Sequence, residues 1–251
     1  PTMHFHIITL FPDAFSSYLG ESIIKRAIED KKIKVSLYNP RDFTKDKHKR
    51  VDQKPYGGGP GMVIEAESVL KAVQKALGRK DRSRVKIVFF SPGGTELTNA
   101  YADKVGKKYK HLIMICGRYE GIDARVQKIL RAEIVSIGPY VLTGGELPAM
   151  VLTDVVARRI PGILCNIDSL EENRASSHEV YTRPEILEWK GKKYKVPDVL
   201  LSGNHSEIDK WRMAKSSLRD DRPNTGTASG LGKGKKYRVP KVLLSGNHAE
   251  I

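Results

Sequence analysis

The chain has 251 residues, 39% hydrophobic and 29% charged, a globular composition whose length suits one large domain or a medium and a small one. No apolar run approaches the ~18–20 residues that span a bilayer and no basic n-region precedes an apolar segment, which excludes an integral membrane or recognisably secreted protein and points to the cytoplasm. Lys and Arg outnumber Asp and Glu by 44 to 29, and residues 181–251 alone carry 15 basic against 8 acidic side chains, so the excess gathers toward one end and favours a polyanion such as nucleic acid as partner.

Strand-like and helix-like stretches alternate along the first 160 residues. Residues 4–10 form a β-type run that Phe11-Pro12 stops. Asp13 is placed to cap a helix in which Phe15, Tyr18, Leu19, Ile23, Ile24 and Ala27 recur at helical spacing. A second strand, 33–38, precedes a polar loop holding the mixed-charge run 46–54 and the glycine-rich PYGGGPGM at 55–62. The pattern then predicts helix 65–77, strand 84–90, helix 99–109, strand 111–116, helix 123–130, strand 133–137 and helix 147–160. Such alternation argues for an α/β fold, a mainly parallel sheet with helices on both faces. Ligands bind such sheets at the carboxyl ends of the strands. Three glycine-bearing segments fall there: SPGGTEL (91–97), GRYEGID (117–123) and GPYVLTGGELP (138–148).

Residues 161–180 lose the alternation and read as a linker. From Tyr181 the composition turns basic, a short helix is expected over 207–215, and Trp189 and Trp211 read as packing a small second domain. Residues 223–234 resemble a flexible linker. They lead to 234–251, which repeats 191–208 with three differences: Lys195 against Arg238, Asp198 against Lys241, and Ser206 against Ala249. The repeat stops short of the Asp-Lys-Trp-Arg that follows the first copy, so it reads as a recent duplication or an artefact of sequence assembly rather than a second functional unit. Pro1-Thr2 ahead of Met3 reads as an addition to the native start. The resulting division is 1–160, linker 161–180, small domain 181–222, and tail 223–251.

The motifs narrow the chemistry. No P-loop is present, and Gly57-Gly58-Gly59-Pro60-Gly61 lacks the spacing and preceding strand of a dinucleotide fingerprint, which disfavours ATP and NAD. No His/Cys cluster has zinc spacing, Cys116 and Cys165 suggest neither metal nor disulfide, and no serine sits in a nucleophile elbow. What the three loops offer is backbone, because their glycines let main-chain groups approach a ligand closely. S-adenosylmethionine (SAM), a phosphate-free adenosine ligand, suits such a site. Arg118, Glu120, Asp123 and Glu146 lie where a reacting group could sit; an Arg118 ion pair with Glu120 or Asp123 that merely holds the loop is the equal alternative.

At RDFTKDKHKRVD (41–52), PYGGGPGM (55–62), CGRYEGID (116–123), SIGPYVLTGGELPA (136–149), IPG (160–162), YTRPE (181–185) and VPDVLLSGNHSEIDKWR (196–212), the chain resembles the bacterial tRNA (guanine-N1)-methyltransferases of the SPOUT class, the TrmD family. The resemblance covers residues 3 to about 223. It implies a trefoil-knotted SAM-binding α/β domain over 1–160, a small helical tRNA-binding domain over 181–222, and an antiparallel homodimer with shared sites. It also implies methylation of N1 of guanine 37 of tRNA, beside the anticodon. By motif match, SAM is expected to contact Phe89, Ser91, Pro92 and Gly94, then Gly117, Tyr119 and Glu120, and finally Ile137, Gly138, Tyr140, Leu142, Gly144, Gly145 and Pro148. The family arginine maps to Arg158, with Arg159 as the lesser candidate, and a magnesium ion is implied near the SAM carboxylate, its ligands here unknown.

Two positions depart from the family pattern. Pro139 stands where the family has Asp, and Ser177 stands where it has its general base. Glu179 and His178 are the neighbouring replacements, Glu179 slightly favoured as a carboxylate and Asp168 a third choice. The alternative is a degenerate relative that binds tRNA without turnover.

Overall fold

The computed structural model describes residues 3–164 and 179–216. They fall into two compact units, with the division between Arg174 and Ala175.

The first unit is a five-stranded parallel sheet covered by helices on both faces. Its elements in chain order are β1 (Met3–Ile8), α1 (Ser16–Leu19), α2 (Ser22–Glu29), β2 (Ile33–Tyr38), a two-stranded antiparallel ribbon of β3 (Asp52–Gln53) and β4 (Val63–Ile64), α3 (Ala66–Leu77), β5 (Val85–Glu96), α4 (Asn99–Lys108), β6 (His111–Ile115), α5 (Ala124–Leu130), β7 (Glu133–Ser136) and α6 (Glu146–Ala157). The strands lie in the order β2-β1-β6-β5-β7. Alternation along β1 sends Phe5 and Ile7 into one core with Ile24 of α2, Val105 of α4 and Leu152 of α6. Ile8 and Ile113 go to the opposite core with Val69 and Val73 of α3 and Val126 of α5. A parallel sheet needs both faces covered, and this one has them.

The predicted strands and helices of this unit are present, with two corrections. The helix expected from Asp13 is broken: a 3-10 turn over Pro12–Phe15 leads into α1, which ends at Gly20, and α2 starts afresh at Ser22. Asp13 does not cap it; the cap position is Phe11, without a side-chain bond. Strand β5 runs six residues beyond the predicted end, because Thr95 and Glu96 pair again with β7 after an irregularity that follows Phe90.

At the amino-terminal end of the sheet, on the α3 face, His4 and His6 of β1 meet His111 of β6. Burial, reinforced by Lys34 and Lys80 nearby, lowers His4 to about 4; burial, His4 and Lys80 lower His6 to about 3. Both rings are therefore neutral at pH 7.

The second unit contains an antiparallel hairpin, β8 (Ile186–Trp189) and β9 (Lys192–Lys195), then α7 (Asp198–Leu201) and α8 (His205–Ser216). Lys190 and Gly191 both have positive φ, as a two-residue turn matching the strand twist requires. The helix expected over 207–215 is present within α8, and the hairpin adds strands to the small helical domain that the resemblance implies. Trp189 is exposed, whereas Trp211 packs near Tyr181, so only one tryptophan serves the packing expected of both. The tail and its duplicated segment lie outside the described residues.

Candidate functional site

Strand β5 lies between β6 and β7, so the chain leaves it to one side and later returns on the other. A crevice is expected where strand order reverses in this way. The carboxyl ends of these three strands enclose a cleft of about 340 Å³. Phe89, Ser91 and Pro92 of β5 line it, with Gly117, Tyr119 and Glu120 after β6. Ile137, Gly138, Tyr140, Leu142, Gly144, Gly145 and Pro148, from the loop after β7 and the start of α6, complete those walls. Phe90, Val135 and Thr143 also line the cleft; sequence reasoning misses them, since nothing distinguishes them from core or loop positions. Gly94 is not among the lining residues. A Cβ there would stand 2.6 Å from the Ile134 carbonyl carbon, so this glycine serves the close approach of β5 to β7.

The loops after β6 and β7 lie directly on one another. Gly145 N–H donates to the Gly117 carbonyl at 3.0 Å, and Arg118 bridges to Gly144. A Cβ on Gly145 would stand 2.6 Å from Cys116 Cα and 3.0 Å from Gly117 N. Tyr119 adopts a left-handed φ of 59° while half exposed at the mouth, a conformation uncommon for a bulky non-glycine residue. The Cys116 thiol, buried and raised well above its ordinary value, offers no nucleophile.

Arg118 pairs with neither of its expected partners. Its Nε donates to Glu146 at 3.0 Å, and its guanidinium lies 4.6 Å from the centre of the Phe11 ring. Glu146, almost fully buried in the first turn of α6, also accepts from Thr9 Oγ1 at 2.8 Å. Three segments, after β1, after β6 and at the start of α6, are tied together here. Asp123 instead caps α5 and is held at about 2, chiefly by the Arg125 side chain. Removing one partner of a buried ion pair costs about 3–5 kcal/mol. Glu146→Ala is therefore expected to destabilise the first unit by about 3 kcal/mol, toward the low end because Arg118 keeps a quarter of its side chain in solvent. A urea midpoint unchanged from wild type would contradict this.

The glycine-rich segment stands beside the cleft. It joins β3 to β4, and its base is fastened to the loop after β6: Glu120 N–H donates to the Met62 carbonyl, and Ile64 N–H to that of Gly121, both at 3.0 Å. Gly57, Gly58, Gly59 and Gly61 all have positive φ, and Tyr56 is fully exposed. The preceding loop is folded on Asp46, which accepts from the His48 and Arg50 amides and from the Arg50 guanidinium.

Arg158 is not among the residues that line this cleft. Arg158 caps the far end of α6, ten residues or about 15 Å along the helix from Pro148. It faces the hydrogen-bonded pair of Tyr18 and Asp154, and Tyr18 is raised to about 12 by burial and Asp154, against the opposing pull of Arg158. Arg159 is committed elsewhere: its side chain is 5% exposed and pairs with Asp103 of α4 at 2.9 Å. Glu179, in the second unit, accepts from Lys215 Nζ at 2.9 Å and from the Tyr181 hydroxyl at 3.1 Å. Asp168, Ser177, His178 and Cys165 lie outside the described residues.

A family model described as "tRNA (Guanine-1)-methyltransferase TrmD" matches residues 3–225. The chain is similar to the tRNA (guanine-N(1)-)-methyltransferase of Ruminiclostridium cellulolyticum, 46% identical over 228 residues, 88% of this chain and 95% of that protein. Proteins of the same name from Clostridioides difficile and Caldanaerobacter subterraneus are 42% and 45% identical over 218 residues each, covering 85% of this chain and 92% and 87% of theirs.

Proposed function

Because the chain belongs to the tRNA (guanine-1)-methyltransferase TrmD family, we propose that its cleft binds SAM and that the enzyme methylates N1 of guanine 37 of tRNA. The observation carrying this reading is a cleft built from backbone and apolar walls at the switch point of the sheet. Phe89, Pro92, Ile137, Leu142 and Pro148 suit an adenosine moiety, and the glycines let main-chain groups reach it. SAM supplies an electrophilic methyl group, and alignment of donor and acceptor supplies much of the rate. A base must take the N1 proton, and negative charge then builds on O6, where an arginine stabilises it.

Arg158 is that arginine in a homodimer. Leu147, Val151, Asp154 and Arg158 recur at helical spacing along one side of α6, and Leu147 and Val151 are 57% and 40% exposed. A second copy covering this side would bury them and bring Arg158 to the neighbouring cleft. The trefoil knot belongs to the same reading, supported by the tight crossing of Gly145 over Cys116 and Gly117.

The second unit would grip the tRNA backbone, its exposed Lys192, Lys193 and Lys195 supplying phosphate contacts. A tRNA substrate implies a cytoplasmic enzyme. For magnesium, Glu146 and Asp123 are already held by arginines, which leaves Glu120 as the cleft carboxylate. One carboxylate with substrate oxygens is a magnesium site of ordinary kind, so Glu120 together with the SAM carboxylate fits the ion.

Labelled SAM offered to tRNA transcripts with guanine or adenine at position 37 tests the function. Label on the guanine transcript alone is expected; no label despite binding of both ligands would make the chain a binding module. Glu179→Gln and His178→Ala, made separately, address the base. Loss of the carboxylate is expected to lower kcat by about 10²–10⁴-fold, and full activity in both variants would mean that neither residue takes the proton.

A further inference from the structure

The sequence offers no contiguous zinc pattern, yet among the described residues the fold assembles one group of ligands. His4 and His6 project on the same face of β1, and parallel pairing sets His111 of β6 opposite His4. One nitrogen from each ring lies within 4.8 Å of one from both others. We propose that His4, His6 and His111 bind one borderline divalent transition-metal ion, zinc above all, at the end of the sheet opposite the cofactor cleft.

The distances support this assignment. His6 Nε2 and His111 Nδ1 are 3.3 Å apart. Two nitrogens bound at about 2.0–2.1 Å to one tetrahedral zinc stand about 3.3–3.4 Å apart, so this pair already has the separation of two ligands. His4, partly exposed and stacked on the His6 ring, has to close a gap of at most ~1.5 Å to join them at that spacing, which a side-chain rotation can supply.

The outer hydrogen bonds are also in place. His6 Nδ1 meets the Tyr38 hydroxyl at 3.1 Å, and His4 Nε2 meets Ser36 Oγ at 2.9 Å, both from β2. For His6, a ring N–H given by Nδ1 to the Tyr38 hydroxyl leaves Nε2, the nitrogen beside His111, with its lone pair available to a metal. All three ligands stand on paired strands, which fix them better than loops would. Imidazole nitrogens select zinc, cobalt, nickel and copper over magnesium, so this ion differs in kind from any held by the cleft carboxylate. Three protein ligands leave the fourth position to water. Lys34 and Lys80 oppose the added charge and moderate the affinity. Bound here, the ion would pin β1 to β6, strands whose paired histidines lie over a hundred positions apart in the chain.

The test uses the full chain stripped of metal with a chelator and titrated with Co²⁺, then Zn²⁺. One equivalent of cobalt is expected to bind with the visible absorption of a tetrahedral site, to be displaced by zinc and not by magnesium, and zinc is expected to raise the melting temperature. His4→Asn combined with His111→Asn, both at partly exposed strand starts, should abolish saturable binding. Tyr38→Phe keeps all three ligands and should weaken binding about 10–100-fold; it decides the matter if the double variant does not fold. No saturable binding by the wild type, or unchanged affinity in the double variant or in Tyr38→Phe, would overturn the assignment.

Discussion

Arg158→Ala is expected to lower kcat for methyl transfer by about 10²–10³-fold, the usual cost of losing one donor to a developing oxyanion, while leaving SAM affinity nearly unchanged. The reasoning is geometric. Arg158 stands at the opposite end of α6 from the cleft, so its removal disturbs no wall of the proposed SAM site in its own chain. It also stands on the helix side that carries the exposed Leu147 and Val151. If a second copy receives it, inactive chains should complement. Arg158→Ala mixed with Leu142→Trp, which fills the cleft, should regain activity, because one hybrid site then holds both intact parts. A mixture as dead as its components would exclude the shared site.

Gly145→Ala is expected to have the larger structural effect. Gly145 has φ −83° and ψ −1°, a conformation alanine adopts freely, so backbone strain is not the issue. The new Cβ would stand 2.6 Å from Cys116 Cα, a main-chain atom with no flexible end to move aside. Either the loop after β7 lifts from the loop after β6, opening the cleft, or the strain remains. A cost at the upper end of about 1–3 kcal/mol is expected, with SAM affinity reduced at least tenfold. Gly93→Ala is the control, since a Cβ there meets nothing within 4 Å. Equal effects in the two variants would show that crowding at Gly145 is not the cause.

These positions also mark what could be read from sequence. Alternating periodicity located all five strands of the sheet, since each is a compact apolar run bounded by turn residues, and it pointed to the three loops that line the cleft. It did not locate the break at Gly20, where apolar spacing continues through an interruption of the helix. The hairpin of the second unit escaped notice because both strands are exposed on all sides and carry no inside–outside pattern. The Arg118 partner is not legible for another reason: Glu120 and Asp123 are its neighbours in sequence, while the fold supplies Glu146 from the first turn of α6, three elements later. The three histidines escaped similarly, since ligand spacing in sequence says nothing about strands that meet only in the sheet.

The strand order has a consequence for synthesis. Strand β1 finds β2 soon after leaving the ribosome, but its other neighbour, β6, begins about a hundred residues later. At about 5–20 residues per second, that edge waits roughly 5–20 s for its partner. During this interval a nascent β-ribbon with apolar faces is open on the side destined for the middle of the sheet. A chaperone acting on this chain therefore has its task set by the clock of translation, and slowing elongation between the two strands should increase misassembly rather than relieve it.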